Sequence, residues 1–287
     1  MTKAKMLRNL LNSGNLIMAP GAYDVWSAKL IEAAGFEAVY MTGYGISASV
    51  IGKPDIGLMT FTEVAVMARN MAMALHIPLI ADCDTGFGNT LNVMRCVEEF
   101  EAAGVAAIQL EDQLMPKRCG HMDGKVLIPL EDMVAKIRAA VAARKDPDFV
   151  IIARTDARAV SGFDDAVSRA QAYVAAGADV IFFEAPQSAE EVKAVSATLK
   201  VPLLSNMVEK GKTPLFSAKE LQEIGYSIVI YPVTALYAAT KHVMETLSVL
   251  KETGKISATT PYTCDFPTFN RMIGLDELRA LEKSFSS

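Results

Sequence analysis

The chain has 287 residues, 51% of them apolar, with 28 basic against 33 acidic side chains and a net charge of −5. That composition can bury one large core, and with no Lys/Arg cluster and no long uninterrupted apolar run it excludes nucleic acid as the main partner and a membrane span. Four widely spaced cysteines, Cys83, Cys96, Cys119 and Cys264, form no CxxC pair; they read as free thiols in a reducing compartment, so the cytoplasm is the expected location.

In chain order, the first segment is MTKAKMLRNLLNSGN. Its apolar stretch is too short for a signal peptide and no Ala-x-Ala-like cleavage site follows, so a helix capping the first strand is expected. Short β-branched runs then alternate with longer amphipathic stretches, the runs falling at 16–19, 38–41, 78–81, 106–110, 149–153, 179–183, 202–205 and 227–231. Eight strands, each followed by a helical pattern, is the count of a closed parallel (β/α)8 barrel, the TIM barrel. Helix-ending glycines precede several strands, in EAAGFEAV, EAAGVAAI, VAAGADVI and EIGYSIV, where glycine takes the left-handed conformation that stops a helix. A doubly wound open sheet would need a glycine-rich first turn, and MAPGAYD after the first run is not GxGxxG. Residues 1–287 therefore read as one barrel domain, with 251–287 as a helical extension. In that tail Phe269, Met272, Ile273, Leu278, Leu281 and Phe285 recur at helical spacing, a stripe that must bury itself on its own barrel or on a neighbouring subunit. An oligomer is expected.

In a parallel barrel the reacting groups sit where strands end. Here the ends carry Thr42-Gly43-Tyr44-Gly45, Asp82-Cys83-Asp84, Glu111-Asp112, Arg154-Thr155-Asp156, Glu184 and Asn206. Carboxylates sharing one cavity repel unless a cation sits among them. Asp82 and Asp84 are two apart and share a face of an extended strand, with Cys83 on the other. Oxygen donors with no histidine or thiolate nearby in sequence favour Mg²⁺ or Mn²⁺ over Zn²⁺. The bland alternative, that each acid caps the helix after it, is as good for any single one and weak for the set. The segment Pro116-Lys117-Arg118-Cys119-Gly120-His121 is the sharpest feature. Its cations should depress the thiol pKa and its glycine frees the loop to move, which suits Cys119 to general acid work; the bland alternative is a basic surface loop with an incidental cysteine. Arg154 leaves its strand into a carboxylate-rich mouth and is expected to grip a substrate carboxylate bidentately, or to steady a developing alkoxide. Asn206 alone reads equally well as a buried hydrogen-bonding residue. His76 and His242 read as surface residues, Cys83, Cys96 and Cys264 as packing residues, and the 15 methionines mostly as adaptable core filler.

Together these segments resemble the isocitrate lyase/phosphoenolpyruvate mutase superfamily. GKPDIG at 52–57, DCDTGFGN at 82–89, QLEDQ at 109–113, KRCGH at 117–121 and IARTDAR at 152–158 fall in its order and spacing over nearly the whole chain, and KRCGH matches its lyase branch. The resemblance implies a barrel whose eighth helix is exchanged between subunits of a homotetramer, and a mobile loop bearing Cys119. It implies Mg²⁺ surrounded by Asp55, Asp82, Asp84 and Glu111, mostly through water, with Asp82 in direct contact. Thr42, Gly43 and Tyr44 would hold the 2-oxo acid half of the substrate and Arg154 its carboxylate and oxygen. His121, Glu184 and Asn206 would line the pocket. Cys119 would donate a proton, and Tyr44 is a candidate base.

The implied reaction is retro-aldol (retro-Claisen) cleavage of a 2-hydroxy acid. Superfamily lyases acting on isocitrate or methylisocitrate serve an additional carboxylate. Their arginine in the helix after the eighth strand is Tyr237 here, and their C-terminal Thr-Arg-x-Glu-Leu-Tyr segment is replaced by TFNRMIGL at 268–275. A buried charge deprived of its partner costs about 3–5 kcal/mol, so a small dicarboxylic 2-hydroxy acid fits better. The tail resembles that of lyases acting on C2-alkylated malates, such as 2,3-dimethylmalate cleaved to pyruvate and propionate. Methylisocitrate cleavage to pyruvate and succinate and oxaloacetate hydrolysis are the neighbouring alternatives. A non-catalytic ligand-binding barrel is the outside one, and the intact acid set and loop cysteine speak against it.

Overall fold

The computed structural model describes residues 1–120, 122–256 and 263–286. Strands β1 (Ile17–Ala22), β2 (Val39–Met41), β3 (Leu79–Asp82), β4 (Ala107–Glu111), β5 (Val150–Thr155), β6 (Val180–Phe183), β7 (Leu203–Asn206) and β8 (Ile228–Tyr231) close into a barrel in chain order. All neighbours are parallel, and Ile17↔Ile228 through Pro20↔Tyr231 join β8 to β1. Every expected strand is present. β1 runs past its expected end at 19 through Pro20 and Gly21 to Ala22.

The helices are α1 (Lys3–Asn12), α2 (Val25–Ala33), a short α3 (Gly43–Ile46), α4 (Phe61–Ala74), α5 (Thr90–Ala102), α6 (Leu130–Ala143), α7 (Phe163–Ala175), α8 (Ala189–Thr198), α9 (Ala218–Ile224), α10 (Thr234–Thr253), α11 (Phe266–Met272) and α12 (Leu275–Ser284). The glycines expected to stop helices do so: Gly35, Gly104, Gly177 and Gly225 have φ of 86°, 84°, 106° and 107°.

The strand period of two sorts each strand into two cores. Ile17, Tyr40, Ile80, Ala107, Ile152, Phe182, Leu204 and Ile228 fill the barrel interior, while Val39, Leu79, Ile108, Ile151 and Ile181 pack outward under the helices. The N-terminal helix α1 closes the bottom of the barrel, as expected of it. Its Leu7 is fully buried in the interior cluster, and Arg8 reaches the Phe149 carbonyl and Asp179 at the starts of β5 and β6.

The chain divides into two compact units, Met1–Leu236 and Tyr237–Ser287. The second holds most of α10, then α11 and α12. The tail's expected helical spacing is present but interrupted, because Gly274 at φ 81° separates α11 from α12. None of the residues of α10, α11 or α12 is buried. No helix of the described residues is long and apolar enough to cross a membrane.

Candidate active site

The inward-facing register of the barrel continues to its mouth. Two residues beyond Tyr40, Ile80, Ala107, Ile152, Phe182 and Leu204 stand Thr42, Asp82, Gln109, Arg154, Glu184 and Asn206, and Glu111 is two beyond Gln109. Helix capping does not consume the acids of the mouth: among the described residues the capping side chains are Thr2, Asp24, Thr42, Thr60, Asn89, Ser188, Ser217 and Asp265. Cys83 packs outward with Cys96 in the helix-side core, and the His76 side chain is 92% exposed, both as expected.

Asp82 is held from three sides. Its Oδ2 accepts from the Gly43 N–H at 3.3 Å, and its Oδ1 accepts from the Asp84 N–H at 3.1 Å and from Gln109 Nε2 at 3.3 Å. Gly43 is needed there, since a Cβ would lie 2.7 Å from Asp82 Oδ2. The Gln109 amide is oriented from below by the buried Tyr40 hydroxyl, which donates to Oε1 at 2.6 Å and leaves the amide NH₂ for Asp82. Burial pushes the Tyr40 hydroxyl pKa well up, which keeps it a donor. Tyr40 and Gln109 were not identified from the sequence. The period-two register was the signal that would have found them.

The structure places the Lys117 ammonium in the acid cluster, 2.6 Å from both Asp55 Oδ1 and Asp84 Oδ1. Burial alone would drive its proton off, but Asp84, Glu111 and Asp55 reverse this and hold its pKa well above the ordinary value. Arg118 is likewise committed elsewhere, donating from Nη1 to the Asp123 carbonyl at 3.0 Å. Loop adjacency gave the charge of these residues but not their direction.

The Arg154 fork is engaged by Asp156, which accepts from Nε at 2.9 Å and from Nη2 at 3.0 Å, so of its two expected roles the geometry leaves Nη1 for the second, steadying an alkoxide. Nη1 lies 3.4 Å from Glu111 Oε2, and the guanidinium carbon sits 5.0 Å over the Phe182 ring. Burial opposes charge on Asp156, yet Arg154 and Lys125 bring its pKa down to about 2. Behind it, the fully buried Asp112 accepts from the Asp156 N–H at 2.9 Å and from the Thr155 and Tyr173 hydroxyls at 2.7 Å each. Glu184 accepts from Asn206 Nδ2 at 3.3 Å.

The Cys119 loop forms a flap over this mouth. Its neck is the Gln113↔Leu127 bridge, with the Leu114 N–H on the Val126 carbonyl and the Ile128 N–H on the Asp112 carbonyl. The Cys119 N–H donates to the Asp55 carbonyl at 3.2 Å, and the thiol-bearing residue is half-buried. Gly120 lies so close to the strand ends that a Cβ would fall 2.2 Å from Glu184 Oε1 and 2.5 Å from Arg154 Nη2. Thr42, Gly43, Asp55, Asp82, Asp84, Glu111, Cys119, Arg154, Glu184 and Asn206 are thus drawn to one mouth, where α3 also carries the half-buried Tyr44. His121 lies outside the described residues.

The acid set fits a hard divalent cation. Among the described residues the buried acids Asp55, Asp82, Asp84, Glu111, Asp112, Asp156 and Glu184 outnumber the buried cations Lys117, Lys125, Lys136 and Arg154 by seven to four. Burial raises the Asp84 pKa to about 6 against the pull of Lys117, and raises that of Glu111 well above the usual range against Arg154. Glu111 Oε1 is buried with no hydrogen-bond partner among the described residues. The donors are all oxygens, which suits Mg²⁺. Among the described residues no three His, Cys, Asp or Glu side chains form a ready ligand cage.

A closed parallel barrel with buried acids and a loop cysteine brought to one mouth has the layout of an enzyme active site. Residues 7–251 match the phosphoenolpyruvate phosphomutase family, and the chain belongs to this enzyme family, within the phosphoenolpyruvate mutase/isocitrate lyase superfamily. It is 48% identical to the 2,3-dimethylmalate lyase of Eubacterium barkeri over 287 residues, covering 100% of this chain and 99% of that one. It is 49% identical to the 2-methylisocitrate lyase of Aeropyrum pernix over 249 residues, covering 87% and 80%. Among solved structures, oxaloacetate acetylhydrolase with 3,3-difluorooxalacetate superposes with a TM-score of 0.94 at 37% identity, covering 100% and 98%. Phosphonopyruvate hydrolase, whose structure holds oxalate and Mg²⁺, gives 0.90 at 36% identity over both full lengths.

Proposed function

We propose that this chain is a Mg²⁺-dependent carbon–carbon lyase acting on a C2-alkylated malate, with cleavage of 2,3-dimethylmalate to pyruvate and propionate as the leading case. The observation that carries this reading is the seating of Cys119 and Gly120 in the same mouth as the buried acids and Arg154. A flap that delivers a thiol to a cation-binding mouth suits protonation of a carbon held there.

When bound, Mg²⁺ would be held by Asp82 directly and by Asp55, Asp84 and Glu111 through water, and would make the substrate hydroxyl more acidic. The hydroxyl proton passes to a base, for which Tyr44 in its phenolate form is the candidate, and Arg154 steadies the alkoxide oxygen through Nη1. The alkoxide collapses to the ketone of the 2-oxo acid, C2–C3 breaks, and its electron pair passes to C3. Thr42 and Gly43 hold the 2-oxo acid half. Asn206 and His121 support the carboxylate of the departing half, with Glu184 orienting Asn206. Cys119 gives its proton to C3. Closing the flap excludes water that would intercept the carbanion.

Identity does not separate the candidate substrates, since named dimethylmalate and methylisocitrate lyases match almost equally. The charge argument favours the smaller dicarboxylate, because Tyr237 supplies no cation for a third carboxylate. The test is a panel of 2-alkylmalates, methylisocitrate and oxaloacetate, assayed for released oxo acid with and without EDTA. A 2-alkylmalate is expected to show the highest kcat/KM, with activity abolished by EDTA and restored by Mg²⁺ or Mn²⁺. Methylisocitrate as the best substrate would overturn the specificity argument, and full activity in EDTA would overturn the metal.

The protein is further proposed to be a cytoplasmic homotetramer whose eighth helix packs on a neighbouring subunit. The exposed apolar side chains Val243, Met244, Leu247, Leu278 and Leu281 support this, because such faces need a partner. Light scattering on the eluted protein should give about four times the 30.9 kDa chain mass. A monomer at micromolar concentration would rule it out.

A further inference from the structure

Lys125 belongs to no motif that pointed to chemistry, yet its side chain is only 1% exposed. Its ammonium donates to the Gly120 carbonyl and, at 2.8 Å, to Asp156 Oδ1. One partner is on the flap tip, next to Cys119. The other is the carboxylate that holds the Arg154 fork. Resting on the lyase reading above, we propose that Lys125 is a positioning residue that makes arrival of the flap and alignment of Arg154 a single event.

The two sides of this contact differ in freedom. Asp156 is fixed from behind, its N–H bound by Asp112, whose carboxylate is itself held by Thr155 and Tyr173. Lys125 lies just inside the flap neck closed by the Gln113↔Leu127 bridge and the Leu114–Val126 hydrogen bond, so its head group travels with the tip. Gln113, at the root of the flap, adds a second tie: its Nε2 donates both to the Arg118 carbonyl at 2.8 Å and to Asp156 Oδ2 at 3.3 Å. Lifting the tip withdraws a cation from a buried carboxylate and leaves the Gly120 carbonyl without its donor. Both losses are reversed only by full closure, since a buried charge tolerates no half-made pairing. The thiol beside Gly120 is therefore presented only when Asp156 is fully paired and Arg154 is clamped. A lysine that merely stabilised the fold would show no such link to the thiol.

Lys125→Met removes the charge at similar volume, and Lys125→Arg keeps a cation with a bulkier head. The readouts are kcat and KM on the best panel substrate, and the rate of Cys119 alkylation by N-ethylmaleimide, located by peptide mass spectrometry, with and without oxalate and Mg²⁺. In the wild type, oxalate with Mg²⁺ should slow alkylation by about tenfold or more as the flap closes. In Lys125→Met this protection is expected to vanish while oxalate still binds within about fivefold, and kcat should fall roughly 100-fold with a much smaller change in KM, the scale of a misplaced catalytic group. In Lys125→Arg, protection and kcat should fall in step to intermediate values. Full protection in Lys125→Met, or a reduced kcat with full protection in Lys125→Arg, would overturn the coupling. The alkylation readout needs no substrate, so it decides this point even if the wild type cleaves nothing on the panel, which is the separate failure of the lyase reading.

Discussion

Cys119→Ser is expected to lower kcat on the preferred alkylmalate by about 10³-fold, within the range of ~10² to 10⁴ that a positioned general acid supplies. The flap is held by groups other than the thiol: the Cys119 N–H on the Asp55 carbonyl, Lys117 between Asp55 and Asp84, and Lys125 on Gly120 and Asp156. Closure should therefore survive the substitution, and so should binding of pyruvate with Mg²⁺, measured by calorimetry. What is lost is the acid. An alcohol holds its proton far more tightly than a thiol, so the carbon left by C2–C3 cleavage is not protonated and the bond re-forms. Condensation of pyruvate with propionate should slow by the same factor, because forward and reverse reactions share the step. A serine variant with wild-type turnover would remove Cys119 from the mechanism.

The barrel was readable because its determinants are local. A period of two along each strand and a left-handed glycine after several of the helices act within a few residues, and both are found where expected, at Gly35, Gly104, Gly177 and Gly225. The acids and the flap cysteine were readable as a set, since carboxylates crowded at strand ends repel one another unless a cation joins them. The contacts that organise them were not. Tyr40 orders Gln109 from within the barrel, and Lys125 reaches Asp156 from the flap to β5; no spacing rule joins residues 69 or 31 positions apart. Lys117 shows the same limit from the other side. Its motif placed a cation beside the thiol, but a loop can turn that side chain anywhere, and the crowded acids of the mouth are the stronger attractor. The tail had its helical spacing, yet Gly274 divided it, and whatever covers its apolar faces is not encoded in the spacing.

Arg154→Lys should cost about 10³-fold in kcat/KM, equivalent to roughly 4 kcal/mol of transition-state stabilisation, although the charge is retained. The geometry explains why charge is not enough. The guanidinium uses Nε and Nη2 to hold Asp156, stacks over Phe182, and so fixes Nη1 beside Glu111, where the proposed mechanism needs it. A lysine head is a single point. It can settle on Asp156 or reach into the mouth, but not both, and Asp156 offers it the stronger well. The alkoxide then loses its fixed donor while the fold keeps its ion pair. Stability should separate the two effects: urea unfolding of Arg154→Lys should show a loss of about 1–2 kcal/mol, whereas Arg154→Met, which leaves Asp156 and Glu111 short of a buried cation, should lose about 3–5 kcal/mol. Activity in the lysine variant within tenfold of wild type would mean that Arg154 acts by charge alone. The fork on Asp156 would then be structural, and the alkoxide donor would have to be sought elsewhere in the mouth.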